Sequence, residues 1–314
     1  MQWLGGRQAG LFRREGTEVS RRTLCRYAGA LTLSSFAFAL RGHAVAGSDP
    51  STLLSVPLEL SGDWGGSPTA AALIVVKRMR EVCLAGVKLV SDQQPDTIRV
   101  DDHSSGSPAI WLHDDHTRTA WIIVDIGSRD WCKLSYQFGH ELGHVLCNSW
   151  AASAKPQPPS QWIEESLVEA FSIRGLGRLA SSWEKTPPFP GDNAFAAAIR
   201  QYRQNVIDGY AGAVDRKTYT DLADWFHNAR INLERRGMGL NPLEGPAILA
   251  IQAELEKDDA CVADMGALNR WPERTAVPVE KYLALWEASC AELLAPGQLP
   301  DRLRNILGIP RNHT

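Results

Sequence analysis

The stretch "YQFGHELGHVLC", Tyr136 to Cys147, sets two histidines four residues apart, with a glutamate directly after the first. On an α-helix this spacing leaves His140 and His144 about 40° apart on one face, so both imidazoles could reach one metal ion. Glu141, rotated about 100° from His140, could take a proton from a water molecule beside that ion. Uncharged residues around the pattern suit a buried helix, which we predict over residues 129–149.

Zinc bound in this way needs a further protein ligand. A metzincin would continue with glycine and histidine where this chain has Cys147 and Trp150, so that ligand pattern is excluded. After a loop with three prolines comes "QWIEESLVEAFSI" (Gln161–Ile173), which has helical composition. Two adjacent carboxylates in it, Glu164 and Glu165, are the candidates for the third ligand.

The segment "WIEES" (residues 162–166) resembles the W-x-N-E-G element of aminopeptidase-type gluzincins, a group of zinc metallopeptidases. In that element the glutamate three residues after the tryptophan binds zinc, which implies His140, His144 and Glu165 as the ligands here. In thermolysin-like enzymes a carboxylate four residues further on orients a zinc-bound histidine. The resemblance therefore implies that Glu169 lies behind one of the two histidines.

The resemblance is incomplete. Glu164 stands where the family has asparagine and Ser166 where it has glycine, which leaves the subfamily open. Glu164 also follows His144 by 20 residues, the thermolysin spacing, whereas Glu165 follows it by 21. Glu165 is favoured because of the resemblance, and Glu164 remains the alternative ligand.

The resemblance implies zinc-dependent hydrolysis of a peptide or protein substrate by a metal-activated water, with Glu141 as the general base. It also implies an edge strand that pairs with the extended substrate, for which we predict residues 119–127. An additional donor should stabilise the developing oxyanion. The candidates are Tyr202, Tyr210, Tyr219 and His227. The alternatives are hydrolysis of a non-peptide amide and a non-catalytic, exported, zinc-containing protein that binds a peptide or glycan.

The first 46 residues have the pattern of an export signal. "SRRTLCR" (Ser20–Arg26) precedes the 14-residue apolar stretch Tyr27–Leu40, and small residues follow at Ala44 and Ala46. The segment resembles a twin-arginine signal, which implies cleavage after Ala46 and a periplasmic or secreted protein. An ordinary Sec signal or an uncleaved anchor is the alternative.

The charge balance gives no support for binding to nucleic acid or to an anionic membrane. Removing the seven arginines and two glutamates of residues 1–46 from 33 basic and 36 acidic residues leaves 26 and 34, a net charge of about −8. No segment has the ~18–20 consecutive apolar residues that span a bilayer. Five cysteines remain after removal of the signal, and an odd number leaves at least one thiol unpaired.

Composition along the chain predicts an α+β fold. We expect a zincin-like core in residues 47–180, with an irregular lead-in over 47–68, and a mostly helical part in 181–314 that packs on it. A helix over 69–87 should precede strands over 97–102, 109–113 and 119–127, which are rich in β-branched and aromatic residues. Further helices are predicted over about 161–180, 193–207, 220–236, 243–257, 278–294 and 299–307.

Overall fold

A computed structural model of the protein describes residues 52–87, 91–103, 107–127, 130–237 and 239–311. Within these ranges the chain forms ten α-helices and one four-stranded sheet, so the predicted α+β class is confirmed. The export signal predicted for residues 1–46 lies outside the described residues. Among the described helices, none combines the length and apolar character needed to cross a membrane.

The sheet has the strand order β1-β2-β4-β3. The first three strands in this order run parallel, and β3 pairs antiparallel with β4. The strands are β1 (Leu58–Gly62), β2 (Thr97–Asp102), β3 (Ala109–Ile110) and β4 (Thr119–Val124).

One face of the sheet is buried because its apolar side chains alternate along the strands. Ile98 and Val100 in β2 pair in register with Ala120 and Ile122 in β4, and all four are fully buried. Alternation with a period of two is what places a set of side chains on one side of a pleated sheet. This face packs into the hydrophobic core.

Two of the strand predictions are wrong. The lead-in predicted as irregular contains β1, which begins after Pro57 and pairs with β2 from Leu58 onwards. A five-residue strand with only two leucines has a weak signal of its own, so its pairing partner decides its structure. The predicted edge strand, β4, lies between β2 and β3. The edge at that side is β3, which is only two residues long.

The helix with the opening motif, α3, spans Trp131–Leu146. The carboxylate of Asp130 accepts a hydrogen bond from the Lys133 N–H at 3.0 Å and so caps the first turn. Asn148, with φ at 62°, turns the chain away after the last turn. The predicted helix is therefore present, shortened by two or three residues at each end.

The other predicted helices are present and differ from the prediction at their ends. Two short helices, over residues 52–55 and 260–265, are not predicted, and the helices that begin at Gln161 and Phe195 extend five and six residues beyond their predicted ends. The helices are α1 (Thr52–Ser55), α2 (Thr69–Leu84), α4 (Gln161–Lys185), α5 (Phe195–Ala213), α6 (Leu222–Glu234), α7 (Gly245–Lys257), α8 (Ala260–Met265), α9 (Val279–Glu292) and α10 (Gln298–Ile306).

The core is continuous from the sheet to the C-terminal helices. Among the largest fully buried side chains are four tryptophans, Trp64, Trp162, Trp183 and Trp286, which come from widely separated elements. In the part of the chain that the structure describes, five buried cysteines have no disulfide partner. They are Cys83, Cys132, Cys147, Cys261 and Cys290.

Glycines allow α3 to pack closely on α4. A Cβ atom added at Gly143 would lie 2.8 Å from the Val168 Cβ, and one at Gly139 would lie 2.9 Å from the Ser172 Oγ. Cβ atoms do not approach other atoms so closely in real proteins, so both positions require a residue without a side chain. The histidine helix and the glutamate helix thus lie near enough for their side chains to meet.

We expect Gly143→Ala to lower the free energy of unfolding by about 1–3 kcal/mol, because Val168 or the whole helix must move. Urea denaturation would measure this change. Gly212→Ala is the matched control: it is also inside a helix, α5, but has no atom within 4 Å of an added Cβ. Gly212→Ala should leave the free energy of unfolding unchanged or raise it by up to about 1 kcal/mol. Equal effects of the two substitutions would contradict the close-packing explanation.

Candidate metal centre

Three side chains from α3 and α4 converge. The Glu165 Oε2 lies 3.6 Å from the His140 Nε2 and 3.7 Å from the His144 Nε2. One ligand atom from each residue lies within 4.8 Å of the others. Ligand atoms around a tetrahedral zinc ion with bonds of ~2.0–2.1 Å are about 3.3 Å apart, close to the two distances from Glu165. The group could therefore hold a metal ion.

The outer nitrogen of each imidazole faces a different carboxylate. The His140 Nδ1 is 2.9 Å from the Glu169 Oε2, and the His144 Nδ1 is 2.7 Å from the Glu164 Oε1. Because an ionised carboxylate only accepts hydrogen bonds, the proton in each neutral imidazole belongs on Nδ1. Both Nε2 atoms then keep a lone pair directed towards Glu165. This donor set fits a divalent metal ion.

Adjacent glutamates on α4 have different contacts. Glu165 is the carboxylate that meets both Nε2 atoms, while Glu164, the alternative ligand, contacts the outer nitrogen of His144. Neighbouring side chains on a helix point about 100° apart, so one can face the inner side of an imidazole and the other its outer side. The sequence predicts Glu164 only as an alternative ligand and not as the acceptor behind His144. The spacing of 20 residues between the two is the one sequence feature that connects them.

Glu169 is itself held by a phenolic hydroxyl. The Tyr136 hydroxyl donates to the Glu169 Oε1 at 2.6 Å, and Tyr210 on α5 lies near this carboxylate. Burial and the nearby charge of Glu169 raise the pKa of both tyrosines above its usual value. The two hydroxyls therefore remain protonated, and Glu169 keeps an acceptor free for His140.

The carboxylates give the site a negative field. Burial alone would lower the pKa of His140, but the carboxylates of Glu165 and Glu169 outweigh it and raise the pKa to about 9. For His144 the carboxylates of Glu164 and Glu165 likewise outweigh burial and raise its pKa. Burial would raise the pKa of Glu165, yet both histidines together lower it well below its usual range. A field that favours positive charge on the imidazoles also favours a bound cation.

Glu141 is buried between α3 and the edge of the sheet. It is only 3% exposed, and its carboxylate accepts a hydrogen bond from the Ile110 N–H in β3. Burial raises its pKa, whereas the charges of His140 and His144 act to lower it. The side chain predicted as a base thus lies beside both the metal-binding group and a strand edge.

Two of the four predicted oxyanion donors lie near this site. Tyr210 lies near Glu169, and the ring of Tyr202 lies 5.7 Å from the ring of Tyr136. The described contacts of the other two lie elsewhere: Tyr219 accepts a hydrogen bond from an arginine of its own turn, and His227 is exposed on α6. The geometry thus reduces the candidates to Tyr202 and Tyr210.

Glu244 is a nearby carboxyl group that the sequence did not single out. It is fully buried, and among the described residues neither of its oxygens has a hydrogen-bond partner. Burial, with the charge of Glu165 next, raises its pKa to about 9, so the group is neutral at pH 7. Its position at the start of the apolar helix α7 is the only sequence feature that indicates a buried carboxyl group here.

We expect Glu165→Ala to abolish stoichiometric metal binding, because it removes one of three ligands. Glu164→Ala should retain metal with an affinity about 10–100-fold lower, because it removes only the acceptor behind His144. Mass-spectrometric metal analysis after dialysis, followed by chelator competition, would measure both. Glu184→Ala, an exposed glutamate on the same helix, is the matched control. The reverse order, with metal lost in Glu164→Ala and kept in Glu165→Ala, would contradict this ligand assignment.

No protein-family model, no curated protein and no solved structure matches this chain.

Proposed function

We propose that the protein is a zinc-dependent peptidase with a zincin-like core. The observation that carries the proposal is the group of His140, His144 and Glu165, in which both outer imidazole nitrogens are bound by carboxylates. Three protein ligands leave one tetrahedral position for water or substrate, as in catalytic rather than structural zinc sites. Structural sites also have no use for a buried base such as Glu141, which favours the enzyme over a non-catalytic binding protein.

Zinc bound at this group would supply Lewis acidity towards a water molecule and a substrate carbonyl. Glu141 acts as the general base that takes the proton of the attacking water and passes it to the leaving amine. Glu164 and Glu169 hold the imidazoles in the required tautomer and orientation. Tyr202 or Tyr210 donates to the oxygen on which negative charge develops.

The free edge of β3 is the proposed position for an extended substrate. The Trp111 N–H donates to the Trp121 carbonyl of β4 at 2.8 Å, so the preceding N–H, that of Ile110, points to the other side. On that side it contacts Glu141. A peptide that adds as a further strand along this edge would pass the base, which supports β3 in the role predicted for β4.

The proposed substrate is a peptide or protein outside the cytoplasm. This location rests on the twin-arginine-like segment of residues 1–46, whose cleavage after Ala46 remains a prediction. The net charge of about −8 after cleavage is not suited to anionic polymers such as nucleic acid. Hydrolysis of a non-peptide amide would use the same residues and differs only in the substrate tested.

We expect Glu141→Gln to retain full metal content but to lose peptide hydrolysis by about 10²–10⁴-fold, because the amide cannot accept the proton. Cleavage of a mixed peptide library, followed by mass spectrometry, would measure the loss. Glu184→Gln makes the same chemical change on the surface of α4 and should be as active as the wild type. Undiminished hydrolysis by Glu141→Gln would refute the role of this residue. A metal-loaded wild type that cleaves no peptide would instead favour the binding function.

A further inference from the structure

A loop from the C-terminal half of the chain surrounds the end of the histidine helix. This loop, residues 266–275, follows α8, and we refer to it as the C-terminal loop. The Asn148 Nδ2 donates to the carbonyls of Gly266 and Leu268 at 3.0 and 2.8 Å. Arg274 donates back to the Asn148 carbonyl at 3.1 Å and to the Ser149 Oγ at 2.7 Å. The segment directly after α3 is thus held by residues outside the predicted zincin-like core.

Asn269 lies at the centre of this loop and is 2% exposed, with φ at 57°. Its Nδ2 donates to the Glu164 Oε2 at 2.8 Å, besides contacts with the Cys147 carbonyl and the Ser149 Oγ. Its Oδ1 accepts a hydrogen bond from the Tyr282 hydroxyl at 3.0 Å. Because a hydroxyl donates to the oxygen and a carboxylate accepts from the nitrogen, the orientation of the amide is fixed.

The contact with Glu164 links the loop to the metal centre. One oxygen of Glu164 accepts from the Asn269 amide, and the other from the His144 Nδ1. The corresponding carboxylate behind His140, Glu169, is held by Tyr136 of α3 instead. Only the His144 side therefore depends on a residue 105 positions further along the chain from its carboxylate.

We propose that Asn269 is a positioning residue of the metal centre, which holds Glu164 so that the Nε2 of His144 is directed at the metal. The proposal rests on the metal site proposed above. Without the amide, the buried Glu164 loses the donor to one oxygen and can rotate about its side-chain bonds. His144 then loses its fixed acceptor, and the ring is free to turn away from Glu165.

Asn148 provides a matched control within the same structure. It is also 2% exposed, with a positive φ of 62°, and its amide donates to two carbonyls and accepts from the Ser91 hydroxyl. None of these hydrogen bonds involves Glu164 or a histidine. Truncation of either asparagine should destabilise the loop, but only truncation of Asn269 should alter the metal centre.

The test compares Asn269→Ala and Asn148→Ala by chelator competition for Zn²⁺ and by the visible absorption spectrum of the Co²⁺-substituted protein. We expect Asn269→Ala to weaken metal binding about 10–100-fold, which is the loss of affinity seen when acceptors behind metal-bound histidines are removed. The same substitution should shift the Co²⁺ absorption bands. Asn148→Ala should lower the unfolding midpoint of the metal-free protein and leave the affinity and spectrum unchanged. Equal effects of the two substitutions on affinity would overturn the proposal.

A double-mutant cycle tests the route through Glu164. In the Glu164→Ala background, Asn269→Ala should cause no further loss of affinity, since the residue through which it acts is already gone. Additive losses would overturn the proposal. If Asn269→Ala does not fold, Tyr282→Phe provides the same test, because it removes only the donor that orients the amide. We expect a smaller loss of metal affinity in the same direction. An unchanged affinity would count against the proposal.

The measurements separate this proposal from the metal site itself. A wild type without metal affinity would refute both. A wild type that binds zinc and loses it in Glu165→Ala, while Asn269→Ala behaves like Asn148→Ala, would refute only the positioning role.

Discussion

Acceptor groups behind the two imidazoles are the constraint on which the site depends. A histidine can present Nε2 to a cation only if its other nitrogen has a fixed place for its proton, and here both places are buried carboxylates. Their burial in turn requires donors of their own, supplied by Tyr136 on one side and Asn269 on the other. The polar network is extensive because each buried charge needs a partner. The close packing of α3 on α4 through Gly139 and Gly143 brings these partners within reach.

The sequence predicted the local parts of this arrangement well. A spacing of four residues places His140 and His144 on one face of a helix, whatever the surroundings of that helix. The next helix contains the adjacent glutamates Glu164 and Glu165. The same local patterns predicted α3 and the longer helices after it, apart from their ends, but not the short helix α8. It did not predict β1 or the edge position of β3, because strand order depends on which segments pair across long stretches of chain.

Long-range contacts also explain why the sequence did not predict two residues at or near the site, Asn269 and Glu244. Asn269 and Glu244 approach the metal-binding group from segments about 80 to 105 residues after Glu165. Neither has a motif around it, and nothing in a single sequence says which loop returns to a given helix. The sequence also left two candidates for the third ligand, Glu164 and Glu165, for a similar reason. Both residues take part in the site, and only the relative rotation of α3 and α4 decides which of them faces the inner nitrogens.

The cysteines have a practical consequence for handling this protein. All five in the described part of the chain are buried and unbridged, and burial raises the pKa of the Cys83 and Cys132 thiols to about 12. Such thiols are scarcely ionised at neutral pH, so they react slowly with oxidants and alkylating reagents while the native state persists. Strong reductants can therefore be left out of purification buffers when metal content is to be determined.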